Sequence, residues 1–75
     1  MNVAMFKNLF TFVKSDDPMV EDDEFILRQN PNITIQVCDY AGGYAVNQLL
    51  DNMMYDHGVF SSLKDAAIKA HSLNQ

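Results

Sequence analysis

Cysteine is nearly absent from this chain: Cys38 stands alone, and one thiol excludes a disulfide within a single chain. Histidine is almost as scarce. With only His57 and His71, and no Cys-x-x-Cys pair, the ligands for a structural metal are missing. Basic residues are few and scattered. One arginine, Arg28, and four lysines face ten acidic residues, for a net charge of -5. Binding a nucleic-acid backbone needs clustered Lys and Arg to displace counterions, so nucleic acid is excluded as a partner. The same balance repels anionic membranes and suits a basic protein partner. No apolar run is long enough to span a bilayer. The N-terminus lacks a basic region and a small-residue cleavage site, so no signal peptide is expected. A lone cysteine suits a reducing compartment, and a cytoplasmic location is expected. Motifs for bound cofactors are missing too: Ala41-Gly42-Gly43-Tyr44 lacks the Gly-Lys-Ser/Thr ending of a phosphate loop.

At 75 residues the chain makes one domain with a small core. Domains of this size usually rely on a disulfide, a metal or a second subunit. With the first two removed, a homodimer is the expectation.

What is present reads as α+β. Residues 2–14 fit an amphipathic helix: Val3, Met5, Phe6, Leu9, Phe10, Phe12 and Val13 fall on one half of a helical wheel. Asn2 is its plausible cap, and a strand reading is confined to Leu9–Val13. Residues 15–24 form an acidic linker whose like charges keep it solvated. Residues 25–57 read as antiparallel strands. Asn30-Pro31-Asn32 is turn chemistry, and Ile33, Ile35 and Val37 alternate with Thr34, Gln36 and Cys38. Ala41-Gly42-Gly43 supplies a hairpin turn. Over Tyr44–Asp56 two readings compete. Val46, Leu49, Leu50, Met53 and Met54 have helical spacing, with Gly58 as a stop. The hairpin context and the missing N-cap favour two strands reversed at Asp51-Asn52. Residues 62–73 form a helix capped by Ser62, with Leu63, Ala66, Ala67, Ala70 and Leu73 on one face and Ile68 on the other. The expected architecture is a sheet of three or four antiparallel strands, with the C-terminal helix packed on it and the N-terminal helix either in that layer or on a second subunit.

Each residue with chemical potential has an ordinary reading beside a functional one. Cys38 with His57 and Asp39 or Asp56 holds the ingredients of a thiol nucleophile and its base; a small buried strand cysteine is the ordinary alternative. Asp56-His57-Gly58 has the residues of an acid/base element and equally those of a loop. His71 sits where a cation favours a helix C-terminus. The acidic run lacks calcium-loop spacing; it reads as solvated charge, or as a docking surface that imitates nucleic acid. The apolar half of the N-terminal helix reads as core, or as aromatic anchors for a partner groove.

The hairpin around Tyr40–Tyr44 and the ending from Gly58 to Ala67, with the length and acidic balance, resemble the small orphan proteins of mobile genetic elements, of phage or integron gene-cassette type. That resemblance implies frequent dimerisation and assigns no functional residue. Three functions are therefore expected candidates. The first is a non-enzymatic homodimeric interaction module, with Phe6, Leu9, Phe10, Val13 and Ile68 at its interface. The second is a small-molecule binding or catalytic protein, with an intersubunit cleft lined by Cys38, Tyr40, Tyr44, Tyr55 and His57. The third is an acidic inhibitor of a nucleic-acid-binding protein. No cofactor and no metal are expected.

Overall fold

The computed structural model describes residues 2–14, 23–38 and 42–74. They form helix α1 (Val3–Leu9), strands β1 (Phe10–Val13), β2 (Glu24–Leu27), β3 (Ile33–Cys38), β4 (Gly43–Leu50) and β5 (Met53–Phe60), and helix α2 (Leu63–Ser72). All strand pairs are antiparallel, and the order in the sheet is β1-β2-β3-β4-β5. The class is α+β, with five strands rather than three or four.

The additional strand comes from the segment expected to complete the first helix. That helix runs only from Val3 to Leu9, capped by Asn2, whose Oδ1 accepts from the Met5 N–H at 2.9 Å. Phe10-Thr11-Phe12-Val13 then turns extended. A seven-residue helix is marginal on its own, and β-branched and aromatic residues fit a pleated surface better. Pairing with β2 sets Phe10 opposite Leu27 and Phe12 opposite Phe25, cross-strand pairs no helix would provide.

The β2–β3 turn follows its asparagines. The Asn30 side chain accepts from the Asn32 N–H at 3.2 Å, and the Asn30 carbonyl accepts from the Ile33 N–H at 3.0 Å. The disputed stretch 44–56 is strand. Asp51 and Asn52 both have positive φ, 50° and 65°, the two-residue hairpin geometry whose twist matches the strands it joins. The helix reading loses because both flanking strands gain a ladder at once, from Leu50↔Met53 back to Tyr44↔Phe60.

Register and alternation divide the sheet into two faces. Phe10, Leu27, Ile33, Ile35 and Val46 point to one face, where they meet Ala66, Ala67 and Ala70 of α2. The three alanines are fully buried. Their small side chains let the helix lie close to β3 and β4, and Leu63 and Leu73 close its ends against the core. Each fully buried aliphatic in this layer, such as Ile35 or Val46, contributes roughly 1.5–3 kcal/mol. Ser62 caps α2 as expected, its Oγ accepting from the Asp65 N–H at 3.1 Å. The other face carries Thr11, Ile26, Thr34, Gln36, Ala45, Asn47 and Leu49. It is a mixed, largely half-buried surface on which Ala45 is buried, with Asn47 Nδ2 donating to Gln36 Oε1 at 3.3 Å.

Candidate functional site

The residues expected at an interface do not lie on one surface of the chain. Phe10 is 3% exposed and belongs to the core, because it starts β1 instead of continuing the helix. Phe6 and Leu9 pack against the same core from α1. Val13 and Ile68 remain exposed, at 44% and 47%, on β1 and on the outward side of α2.

The residues expected around a pocket are also separated. Tyr40, like Asp39, lies outside the described residues, and so does most of the acidic run. Cys38 is buried at the end of β3, opposite Gly43, and its Sγ donates to the Gln36 carbonyl at 3.6 Å. By alternation it points to the face that carries Gln36. His57 lies on the helix-bearing side, where its Nε2 is 3.0 Å from Gln48 Oε1, and Gln48 is opposite Ile33 of the core face. Thiol and imidazole therefore sit on opposite sides of the sheet. The Asp56 carboxylate is engaged elsewhere, accepting from the Gly58 N–H at 2.8 Å. Tyr44 and Tyr55 share the His57 face, Tyr44 against the core and Tyr55 opposite Gln48 at the hairpin end. Among the described residues, no three histidine, cysteine or acidic side chains gather as a metal site would require. No helix among them is long and apolar enough to cross a membrane.

His57 reaches its position through a β-bulge. The register passes from Ala45↔Val59 to Asn47↔Asp56, so two residues, His57 and Gly58, oppose Val46 alone. Gly58 has a φ of 107°, a conformation that side-chain-bearing residues rarely adopt. Bulges of this kind bend an edge strand and interrupt its capacity to pair.

The surface that sequence reasoning missed is the outer edge of β5. This strand is eight residues long and lies at the end of the sheet. It exposes Met53 at 61%, Met54 at 62%, Tyr55 at 45% and Val59 at 55%, with Leu50 beside them on β4. No lysine or proline guards it, although edge strands are usually protected by such residues. In a two-residue hairpin the closing pair exchanges its backbone hydrogen bonds, so Met53 is turned toward Leu50. Met54, the next residue, then presents its N–H and C=O outward. Before the bulge, the edge is thus a short, apolar, regular template spanning Met53 to Asp56.

No protein-family model, curated protein or solved structure matches this chain.

Proposed function

We propose that the protein is a non-enzymatic homodimeric interaction module joined through β5. The observation that carries this reading is the bare edge strand with four exposed large apolar side chains. The placement of Cys38 and His57 on opposite sides of the sheet favours this reading over a thiol nucleophile with an imidazole base. The occupant of the edge is a second copy, because the segment complements itself. A two-fold axis through Met54 sets Met54 opposite its own copy and lets the two residues exchange both backbone hydrogen bonds. Met53 then faces the copy's Tyr55 on the helix-bearing side, a sulfur–aromatic pairing. Asp56 meets Asn52 of the copy, so no carboxylates confront each other. The bulge stops the pairing there.

The contact is small. The exposed side chains of the hairpin end offer on the order of 500 Å² per copy, against the ~800 Å² per partner of a standard interface. A dimer that dissociates on dilution is therefore expected.

Light scattering during size-exclusion chromatography, over a hundredfold dilution series, tests it. The mass should fall from twice 8.5 kDa toward the single chain. Met54→Lys, which sets two ammonium groups face to face on the axis, should give a monomer at every concentration. In a Cys38→Ala background, Met54→Cys should form a covalent dimer on mild oxidation, since hydrogen-bonded antiparallel Cα atoms lie ~5.5 Å apart, within disulfide reach. A single-chain mass throughout, or a dimer indifferent to Met54→Lys, overturns the proposal. Deleting residues 1–14 is no test of association, because it strips Phe10 from the core.

A further inference from the structure

At the opposite end of the sheet lies a second feature, independent of the β5 contact. Helix α2 covers β3, β4 and β5, and at the β1–β2 end the short α1 packs Phe6 and Leu9 against the core. The result is a cleft of about 390 Å³ lined by Phe6, Phe10, Phe12 and Phe25, four of the chain's five phenylalanines, with Lys7 and Arg28 at its margin. For scale, a void of ~150 Å³ holds one benzene ring. The rings form a continuous wall. Phe6 stacks on Phe10 at 4.8 Å, meets Phe25 edge-on at 5.1 Å, and Phe25 tilts against Phe12 at 4.9 Å. Phe12 remains 52% exposed, so the wall is incomplete on one side, and ring faces and edges stand open to a further flat apolar group.

The described charges at this cleft are both positive. In a chain with twice as many acids as bases, the described residues that line the cleft include two cations and no carboxylate. Among the described residues, Glu24, beside Phe25, pairs with Val13 and by alternation points to the other face. Arg28 is held in place at both ends of its reach. Its backbone N–H donates to the Leu9 carbonyl at 2.8 Å, and its Nε donates to the Phe10 carbonyl at 3.4 Å. That leaves the four N–H groups of the terminal nitrogens uncommitted. Among the described residues neither Lys7 nor Arg28 forms an ion pair.

We infer that this cleft binds an aromatic monocarboxylate, with the ring system against Phe6, Phe12 and Phe25 and the carboxylate on Arg28, assisted by Lys7. A guanidinium takes a carboxylate through two parallel hydrogen bonds, which fixes the orientation of a flat ligand. Neither an amine nor a neutral ring would satisfy the two cations.

The full chain would be titrated with 2-naphthoate, and with 2-naphthalenemethanol and 2-naphthylmethylamine as neutral and cationic counterparts, while amide and Arg28 Nε–H resonances are followed by NMR. Naphthoate should saturate with a Kd of about 1 mM or tighter, the value ordinary ligand efficiency gives for its size. The shifts should centre on Phe6, Phe12, Phe25 and Arg28. The alcohol should bind about tenfold more weakly, the loss of one charge-assisted contact, and the amine more weakly still. Arg28→Gln should reduce naphthoate to the affinity of the alcohol. Lys7→Gln, on the exposed side of α1 and harmless to the core, should weaken the acid and leave the alcohol unchanged. Equal binding of acid and alcohol, absence of a saturable shift, or shifts centred on β5 overturns the inference, whatever the oligomeric state proves to be.

Discussion

Gly43 opens β4 at a place where two small effects oppose each other, and the structure says which prevails in Gly43→Ala. Unlike Gly42 and Gly58, Gly43 does not have positive φ. Alanine fits the backbone, and removing a strand glycine favours folding by roughly 0.5–1 kcal/mol. Against that, the new methyl would lie 2.6 Å from Val59 Cγ1 and 3.0 Å from the Phe60 carbonyl oxygen. Val59 is mostly exposed, so its isopropyl group can turn away, at a cost of ~0.5–1.5 kcal/mol for leaving its preferred rotamer. The Phe60 carbonyl belongs to the β5 backbone and yields only if the strand shifts, which places the total in the ~1–3 kcal/mol range of overpacking. Subtracting the glycine gain leaves a net loss of about 1 kcal/mol. At ~4–8 °C per kcal/mol for a domain of this size, Tm should fall by about that interval. Urea unfolding at one fixed protein concentration measures it, since a dimer would make stability depend on concentration. The diagnostic is a double-mutant cycle. In a Val59→Ala background the 2.6 Å clash is gone, and the cost of Gly43→Ala should drop by at least half. An undiminished cost there, or stabilisation in the native background, would refute the reasoning.

Two further outcomes follow from the same geometry. Asn52→Val should lower stability by about 1–2 kcal/mol, read by urea unfolding, because Asn52 holds a φ of 65° that a β-branched residue tolerates badly; Asn52→Gly should match or exceed the native protein. Cys38, 4% exposed, should react with a thiol reagent such as 5,5′-dithiobis(2-nitrobenzoate) only as fast as the chain opens; a rate equal to that of free cysteine in native buffer would show that the side chain is not enclosed.

How much of this was legible beforehand depended on the length of each pattern. Strict alternation over Ile33–Cys38 was enough to define β3 and to set Cys38 on the polar side with Thr34 and Gln36. Ser62 and the alanine spacing defined α2 and its buried face. Phe10–Val13 was opaque because four residues cannot separate a period of 2 from one of 3.6; both readings set Phe10 on an apolar face, and only its partners on β2 decide between them. The place of His57 was hidden for another reason. A bulge shifts the alternation by one, and its sole local trace is Gly58. The bare β5 edge was invisible because strand order is a property of the whole sheet, and alternation within one strand does not reveal which strand lies last.

The two edges of that sheet are unequal, and the inequality bears on which contact the proposed dimer would use. A contact of β5 with β5 is isologous: it consumes both edges and closes. A contact of β5 with β1 would leave a free edge at each end and grow as a filament. β1 is a poor template for such growth. It has four residues, and the backbone of its first is already engaged on both sides. The Phe10 N–H donates to the Phe6 carbonyl, and the Phe10 carbonyl accepts from Arg28 Nε. β5 carries its protection at the other end, where Asp56 takes the Gly58 N–H and the bulge breaks the register. With β1 blocked at its start and β5 past its midpoint, Met53–Asp56 is the regular stretch through which the proposed dimer would pair. The Arg28 contact that masks β1 also holds the guanidinium at the phenylalanine cleft. The hydrogen bond from Arg28 Nε to the Phe10 carbonyl thus occupies an acceptor of β1 and orients the guanidinium at the phenylalanine cleft.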